Sequence, residues 1–183
     1  MPDREALEGF TRSQLIDLLE DAAKNWLAHD GVWFQAVERR FGMEAAIACD
    51  ADAWEHFTVL EARRIMDRQG IAEGGGLEAL EHALGFRLYA RLNEQSIHRV
   101  DDQTLRFEMN ACRVQEARKR KGLPDFPCKS VGLFEYAGFA RTIDPRLRTR
   151  CLTCPPDPHP ENCWCAWEFT LPLEDALETQ EGG

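Results

Sequence analysis

The chain has 183 residues, with 22 lysines and arginines against 32 aspartates and glutamates, so its formal net charge at pH 7 is −10. This acidic balance argues against a nucleic-acid-binding protein, since such proteins usually present a basic face. The basic run at 118–121 is expected to be a solvated face, with an anion-binding edge as the alternative. The polar start and the lack of an apolar run near roughly 20 residues predict a cytoplasmic protein without a membrane partner. The length predicts one domain over 1–183.

Apolar residues at helical spacing dominate residues 11–92. Thr11 and Gln14 form a capping-box pattern, because the threonine hydroxyl can accept from an exposed backbone amide and the glutamine can reach back. Helices are predicted over 11–42, 43–69 and 77–91. Gly31 either bends or divides the first helix, and the glycines at 74–76 mark a flexible connection. The first helix carries a predicted core stripe of Leu15, Leu18, Leu19, Ala22, Trp26, Trp33, Val37 and Phe41.

Residues 94–172 change to an alternation of apolar and polar side chains, which is typical of half-buried strands. The predicted elements are strands over 95–100 and 104–112, helices over 114–121 and 128–142, and strands over 146–152 and 164–171. Residues 173–183 are acidic, and we expect them to be disordered. The sequence therefore predicts an α+β fold, in which an N-terminal helical half packs on a small antiparallel sheet with helices.

Two polar residues interrupt the stripe of the first helix. His29 and Asp30 lie between Trp26 and Trp33, and spacings of three and four residues place them on the face of the tryptophans. The functional interpretation is a ligand pocket in which His29 is a catalytic base, Asp30 orients it and both tryptophans contact the ligand. The structural interpretation is that Gly31 ends the first segment and leaves the pair exposed at a bend, with Asp30 as a cap.

The second helix repeats this feature, with Asp50 and Glu61 among its apolar residues. If the first two helices form an antiparallel hairpin, these carboxylates can meet His29 and Asp30 across the interface. A buried carboxylate is unfavourable unless it is paired or hydrogen-bonded, and its pKa is then displaced, as in many functional pockets. Glu61 is thus a predicted ligand-binding residue, and a structural ion pair with an arginine is the alternative.

Six of the seven cysteines lie within residues 112–165. An odd count in a reducing compartment favours thiols, metal ligands or redox chemistry over a disulfide framework. The pairs Cys151–Cys154 and Cys163–Cys165 put four thiols within fifteen residues, which predicts a metal site with zinc ahead of an iron–sulfur cluster. His159 is an alternative ligand. Buried cysteines that only fill space are the competing interpretation.

Cys128 and Cys112 are predicted to serve a different purpose. Cys128 lies near the start of a predicted helix beside Lys129, where exposed amides and the helix dipole stabilise a thiolate. Cys112 ends a predicted strand next to Arg113. Either thiol can act as a nucleophile or contact a ligand, and for both the alternative is simple packing.

The C-terminal half resembles a known family. A strand ending in Cys112, then Pro127-Cys128 near a helix start, and a closing Cys165-Ala166-Trp167-Glu168-Phe169 resemble proteins named after L-2-amino-thiazoline-4-carboxylate hydrolase and, more distantly, 4-vinyl reductase-like small-ligand domains. This resemblance covers about residues 94–171. Residues 19–169 resemble an uncharacterised family of bacterial and archaeal cytosolic proteins allied to that hydrolase. The motifs that carry it are His29-Asp30-Gly31, Arg118-Lys119-Arg120-Lys121-Gly122 and Cys154-Pro155-Pro156-Asp157-Pro158-His159-Pro160.

The named hydrolase opens a cyclic thiazoline ring with water and gives a carbamoylated cysteine. The resemblance therefore implies a pocket between the helical half and the sheet, with Cys112, Cys128 and Cys165 at the matching positions. The proline-rich loop at 155–160 is not part of the hydrolase pattern. This departure argues against the same substrate and favours a metal or another structural staple in the loop.

Three functions follow as hypotheses. The first is a small-molecule hydrolase of a cyclic C–N bond, with Cys128 first and Cys112 second as nucleophile or ligand anchor and His29 with Asp30 as base and orienting group. The second is a non-catalytic sensor that binds a small ligand in the same pocket. The third is a protein whose cysteine cluster binds zinc or, less favoured, an iron–sulfur cluster.

Overall fold

The computed structural model describes residues 4–173 and has the predicted α+β fold. The helices are α1 (Glu5–Glu8), α2 (Arg12–Phe41), α3 (Met43–Gln69), α4 (Gly76–Leu84), α5 (Arg113–Arg120) and α6 (Lys129–Ile143), with a 3-10 helix over Leu88–Arg91. The strands are β1 (Glu94–Asp101), β2 (Thr104–Ala111), β3 (Arg148–Thr153) and β4 (Cys165–Thr170). Apart from its first residue, the acidic segment predicted over 173–183 lies outside the described residues.

The four strands form one antiparallel sheet in the order β1-β2-β4-β3. In its centre Phe107 of β2 pairs with Trp167 of β4, and both side chains are buried. Alternation along β2 places Leu105, Phe107 and Met109 in the core, as the sequence pattern predicted. The same core includes buried residues of α3, α4 and α6, so the helical half and the sheet share it.

Helix α6 lies between the sheet and α3, and two glycines permit this close packing. A Cβ placed on Gly132 would lie 2.6 Å from a ring carbon of Trp167, and one on Gly138 would lie 2.6 Å from Cγ2 of Thr58. The Thr58 hydroxyl also donates to the carbonyl of Glu135 over 2.7 Å. Since any side chain at either glycine would separate the layers, these positions hold α6 close to both neighbours.

Helix α2 is continuous through Gly31, which therefore does not divide it. The predicted capping box is confirmed, because Gln14 N donates to the Thr11 hydroxyl and Thr11 N donates to the Gln14 side chain. The predicted core stripe is wrong for six of its eight residues, since only Trp26 and Val37 are partly buried against the core, and the fully buried residues of this helix are Ala23 and Phe34. Within the part of the chain that the structure describes, the side chains on its first turns are exposed: Leu15, Leu18, Leu19 and Ala22.

Helix α4, which corresponds to the helix predicted over 77–91, is shorter than predicted and ends at Leu84. A carboxylate from α3 causes the break, because Glu61 accepts from both Arg87 Nε at 2.9 Å and the Leu88 backbone amide at 3.1 Å. The chain turns toward this carboxylate and then forms the 3-10 helix. Within residues 4–173, no helix combines the length and apolar character that crossing a lipid bilayer requires.

Candidate functional site

A cavity of about 350 Å³ lies between the helical half and the sheet. Helices α2 and α3 form one side, α5 and α6 form another, and the sheet contributes residues of β2 and β4. Most of the wall is apolar, with Phe34, Trp54, Phe126, Val131 and Trp167 among its residues. An apolar cavity of this size with a few polar groups is typical of a small-molecule site.

Three carboxylates line this cavity, Asp30 and Asp50 from neighbouring helices and Glu135 of α6. Asp30 of α2 is half-buried, and Asp50 of α3 is 8% exposed. Burial, together with the nearby charges of Asp30 and Glu135, raises the pKa of Asp50 to about 7, against a lowering hydrogen bond from Trp54. Burial also raises the pKa of Asp30, while His29 opposes that rise. This end of the cavity can therefore hold and release a proton near neutral pH.

One buried arginine joins Glu135 to a second buried acid, Glu61. Arg87 is 2% exposed and lies 2.9 Å from Glu61 Oε2 and 2.7 Å from Glu135 Oε1. Burial raises the pKa of Glu135, although the charge of Arg87 counteracts it. The guanidinium also contacts a ring of aromatic side chains at 4.8–5.8 Å, which are Trp54, Tyr89, Tyr136 and Phe139. Glu61 is thus a structural ion-pair residue behind the cavity wall.

Thiols line the opposite part of the cavity. Cys128 occupies the N-cap position of α6 without a capping hydrogen bond from its side chain. Its Sγ lies 3.5 Å from Cys154 Sγ and accepts a hydrogen bond of 3.5 Å from Gln115 Nε2. Burial raises the pKa of Cys112 to about 12, so this cavity-lining thiol stays neutral. Because a thiolate is the reactive species, Cys112 is the weaker nucleophile candidate.

Hydrogen bonds fix the segments that carry Cys128 and Cys154. Gln115 donates to the carbonyl of Phe126 at 2.8 Å and accepts from its amide at 2.9 Å. The Lys129 amide donates to the Pro155 carbonyl at 2.9 Å, and the Lys129 ammonium lies 2.7 Å from Asp157. The residues that follow the two cysteines are therefore hydrogen-bonded to one another, so the two thiols are held side by side.

The cysteine group differs from the predicted one. Cys154 interacts with the thiols of Cys128, Cys151 and Cys165, whereas Cys163 donates to the Cys165 carbonyl at 3.2 Å. These neighbouring thiols and burial raise the pKa of Cys154 far above its usual range. The sulfurs surround Cys154 rather than a common centre, and within residues 4–173 no group of three or more donor side chains is arranged to hold a metal ion. The ring of His159 packs 4.9 Å from that of Trp164.

The entrance of the cavity is basic. Arg113, Arg120 and Lys121 are exposed residues of its wall. The run at 118–121 was expected to be a solvated face, but Arg118 is buried and forms two 3.0 Å hydrogen bonds with Glu38. This pair ties α5 to α2 beside the entrance, so the run is part structural and part cavity rim.

Comparison with known proteins identifies a family. The sequence model of a family of unknown function, DUF6125, matches residues 8–171. The chain belongs to this family. The DUF6125 match extends from before α2 to just past β4 and therefore includes every element of the cavity. No curated protein and no solved structure matches the chain significantly.

In this DUF6125 protein the structure brings together only some of the predicted site residues. Asp30, Cys112 and Cys128 line the cavity, as do Cys154 and Cys165. His29 and Trp33 are exposed on α2 and do not line it, and Trp33 is 47% exposed. Trp26 packs behind the wall, with its ring 6.2 Å from that of Trp54.

Glu135 and Arg87 were not singled out from the sequence of this DUF6125 protein. Glu135 had a recognisable signal, because it stands at helical spacing between Val131 and Phe139 and is a charge on a buried face. Arg87 had none, since it follows a glycine-containing turn and its partners are 26 and 48 residues away, at Glu61 and Glu135. Only the packed structure reveals that contact.

Proposed function

We propose that this protein is a hydrolase that opens a cyclic C–N bond of a small molecule bound in the cavity. The buried carboxylate pair of Asp30 and Asp50 carries the proposal. A side chain buried only for stability would be apolar at these positions, because a carboxylate without a cationic partner is unfavourable inside a protein. Perturbed titratable groups that face a cavity mark functional sites more often than other places.

The carboxylate pair supplies the acid–base chemistry that ring opening needs. Asp50, with a pKa of about 7, is present in both forms near neutral pH. Its carboxylate accepts a proton from water as the water oxygen bonds to the ring carbon. The resulting carboxylic acid then returns the proton to the ring nitrogen as the C–N bond breaks. Asp30 acts as a positioning residue, since its charge helps keep the pKa of Asp50 high.

Cys128 offers a covalent route to the same product. Its thiol lines the cavity. Attack of the sulfur on the ring carbon breaks the ring C–N bond while the thiol proton passes to the ring nitrogen, and water then cleaves the thioester-like intermediate and restores the thiol. Cys112 is second in this role because its high pKa keeps it protonated. His29 has no part in the proposed mechanism, since it is exposed outside the cavity.

The test uses 2-amino-thiazoline-4-carboxylate together with a panel of five- and six-membered cyclic amidines and amides. Ring opening is followed by loss of ring absorbance and by mass spectrometry of the hydrated product. Asp50→Asn should lower turnover by about 10²–10⁴-fold, the usual contribution of a general acid–base group. Asp52→Asn is the matched control, because Asp52 is exposed on the same helix.

The outcomes separate the proposed functions. Turnover that falls in Asp50→Asn but survives in Cys128→Ser supports water attack, and loss in both supports the covalent route. Binding of a panel member without any turnover would replace the hydrolase with the sensor hypothesis. Full activity of Asp50→Asn would contradict the proposed role of the carboxylate pair.

A metal-binding role for the thiol cluster is the second candidate, favoured by the 3.5 Å separation of Cys128 Sγ and Cys154 Sγ. Zinc held by four thiolates at about 2.3 Å separates its sulfurs by roughly 3.8 Å, so binding the ion requires Cys154 to move away from the centre of its three neighbouring thiols. The ligand set that the contacts favour is Cys128, Cys151, Cys154 and Cys165, with Cys128 replacing the predicted Cys163. Zinc there would be a structural link between α6 and the sheet.

Elemental analysis of protein purified without added metal tests this second candidate. About one zinc per chain, with a lower melting temperature after chelation, is expected because the free energy of metal binding adds to folding. Cys165→Ser should lose the metal, whereas Cys163→Ser should retain it. If the purified protein contains no metal, and neither zinc nor a chelator changes its stability, the cluster consists of free thiols and the metal-binding role is refuted.

A further inference from the structure

We propose that Cys128 and Cys154 form a reversible disulfide when a hydroperoxide enters the cavity, which makes this pair an oxidative modification site. All seven cysteines are free thiols in the structure. Cys154 contacts the thiols of Cys128, Cys151 and Cys165, and the Cys128 sulfur lies 3.5 Å from its own. This proposal concerns the thiols alone and does not depend on the hydrolase.

The backbone around the pair favours the bond. The amide that follows Cys128 donates to the carbonyl that follows Cys154, through Lys129 N and the Pro155 oxygen at 2.9 Å. The ion pair between Lys129 and Asp157, at 2.7 Å, joins the same two segments a second time. Because the segments are already linked, rotation of the side chains brings the sulfurs to the bond length of about 2 Å without separating α6 from the loop.

The environment also directs the order of the reaction. Cys128 is half-buried and lines the cavity, so a small peroxide that enters by the basic mouth reaches it first. Its sulfur is oxidised to a sulfenic acid, and the peroxide is reduced to water or an alcohol. Cys154 is buried behind it as a neutral thiol, with 1% exposure, and attacks the sulfenic sulfur as its proton passes to the departing hydroxyl group. The disulfide forms and the hydroxyl group leaves with the Cys154 proton as water.

The new bond changes the cavity wall. The Cys128 sulfur is no longer a free thiol that faces the ligand, and it no longer accepts the hydrogen bond from Gln115. Its helix α6 becomes covalently fixed to the segment that follows β3. We therefore expect oxidised protein to bind cavity ligands differently from reduced protein, and a thiol reductant to restore the original state.

The experiment oxidises the full-length protein with hydrogen peroxide, with and without prior chelation of any bound metal, then blocks the remaining thiols and maps the peptides by mass spectrometry. The expected product has lost two hydrogen atoms and contains a peptide in which Cys128 is joined to Cys154. Cys128→Ser and Cys154→Ser should each abolish it. Cys163→Ser is the matched control, because that cysteine is buried nearby without contacting either sulfur, and it should form the bond normally.

Wild-type mapping decides the question even where a variant fails to fold. A disulfide between Cys151 and Cys154 as the main product, or accumulation of sulfinic acid at Cys128, would overturn the proposal. If the number of free thiols is the same before and after peroxide treatment of the chelated protein, the proposal is overturned as well. None of these results affects the Asp50→Asn test, so failure of the disulfide and failure of the hydrolase are distinguishable.

Discussion

Replacement of Asp50 by asparagine should stabilise the protein while it removes the proposed activity. The substitution keeps the side-chain size and removes a buried acid whose pKa is raised from 3.8 to about 7. One pKa step corresponds to about 1.4 kcal/mol, so the difference between 3.8 and about 7 corresponds to about 4 kcal/mol of lost stability once Asp50 is ionised. Sites that sacrifice stability for function behave in this way.

The sign of the pH dependence follows from the raised pKa. Below pH 4, Asp50 is protonated in both the folded and the unfolded chain and has no effect. Between about pH 4 and 7 only the unfolded chain loses this proton, so the stability of the wild-type protein falls as the pH rises. Because asparagine does not titrate, the difference in the free energy of unfolding between Asp50→Asn and wild type should grow by about 2.5 kcal/mol from pH 5 to pH 8.

Urea unfolding of wild type, Asp50→Asn and Asp52→Asn at pH 5 and pH 8 measures this difference. A difference of about 2.5 kcal/mol corresponds to roughly 5–10 °C in melting temperature for a chain of this length. Asp52→Asn, at an exposed position of α3, should show no such growth. If Asp50→Asn raises the free energy of unfolding equally at the two pH values, or lowers it at both, the assignment of a buried proton to this carboxylate is refuted.

Three further outcomes follow from packing. Arg87→Met should lower stability by about 3–5 kcal/mol in thermal unfolding because it leaves buried carboxylates without a cation, whereas Arg99→Met, at a half-exposed ion pair, should change it by less than about 1 kcal/mol. Gly132→Ala should cost about 1–3 kcal/mol, since its methyl group overlaps Trp167, and an unchanged melting temperature would show that α6 can move. His29→Leu should leave both stability and activity unchanged, because His29 is exposed; a clear loss of either would restore it to the site.

The sequence was informative where a local pattern determines structure. The capping box at Thr11, the alternation along β2 and the extent of α3 follow from residues close together in the chain, and the structure confirms them. The core stripe of α2 was wrong for a physical reason. Periodicity shows that a helix face is apolar, but it does not show whether another element covers that face, and among residues 4–173 Leu15 and Leu19 are left exposed.

The candidate site was predictable to a similar degree. The spacing around Asp30 and Asp50 indicated polar groups on inner helix faces, and both line the cavity. The partner of Cys154 was not predictable, because Cys128 is 26 residues away and reaches it only through the packing of α6 against the loop after β3. Sequence spacing favoured Cys163, whose thiol bonds to a backbone carbonyl instead.

The uneven anchoring of α2 sets an order for backbone hydrogen exchange. Its first three turns, before Ala23, have no buried residue, so their amides are protected only by the hydrogen bonds of the helix and exchange through fraying. The amides of α6, enclosed between α3 and the sheet, exchange only when the whole domain unfolds. Asp30 and Phe34 lie on the later turns of α2 and face the cavity. A molecule bound there links α2 to the slowly exchanging layers, so deuterium uptake should slow in α2 before it slows anywhere else.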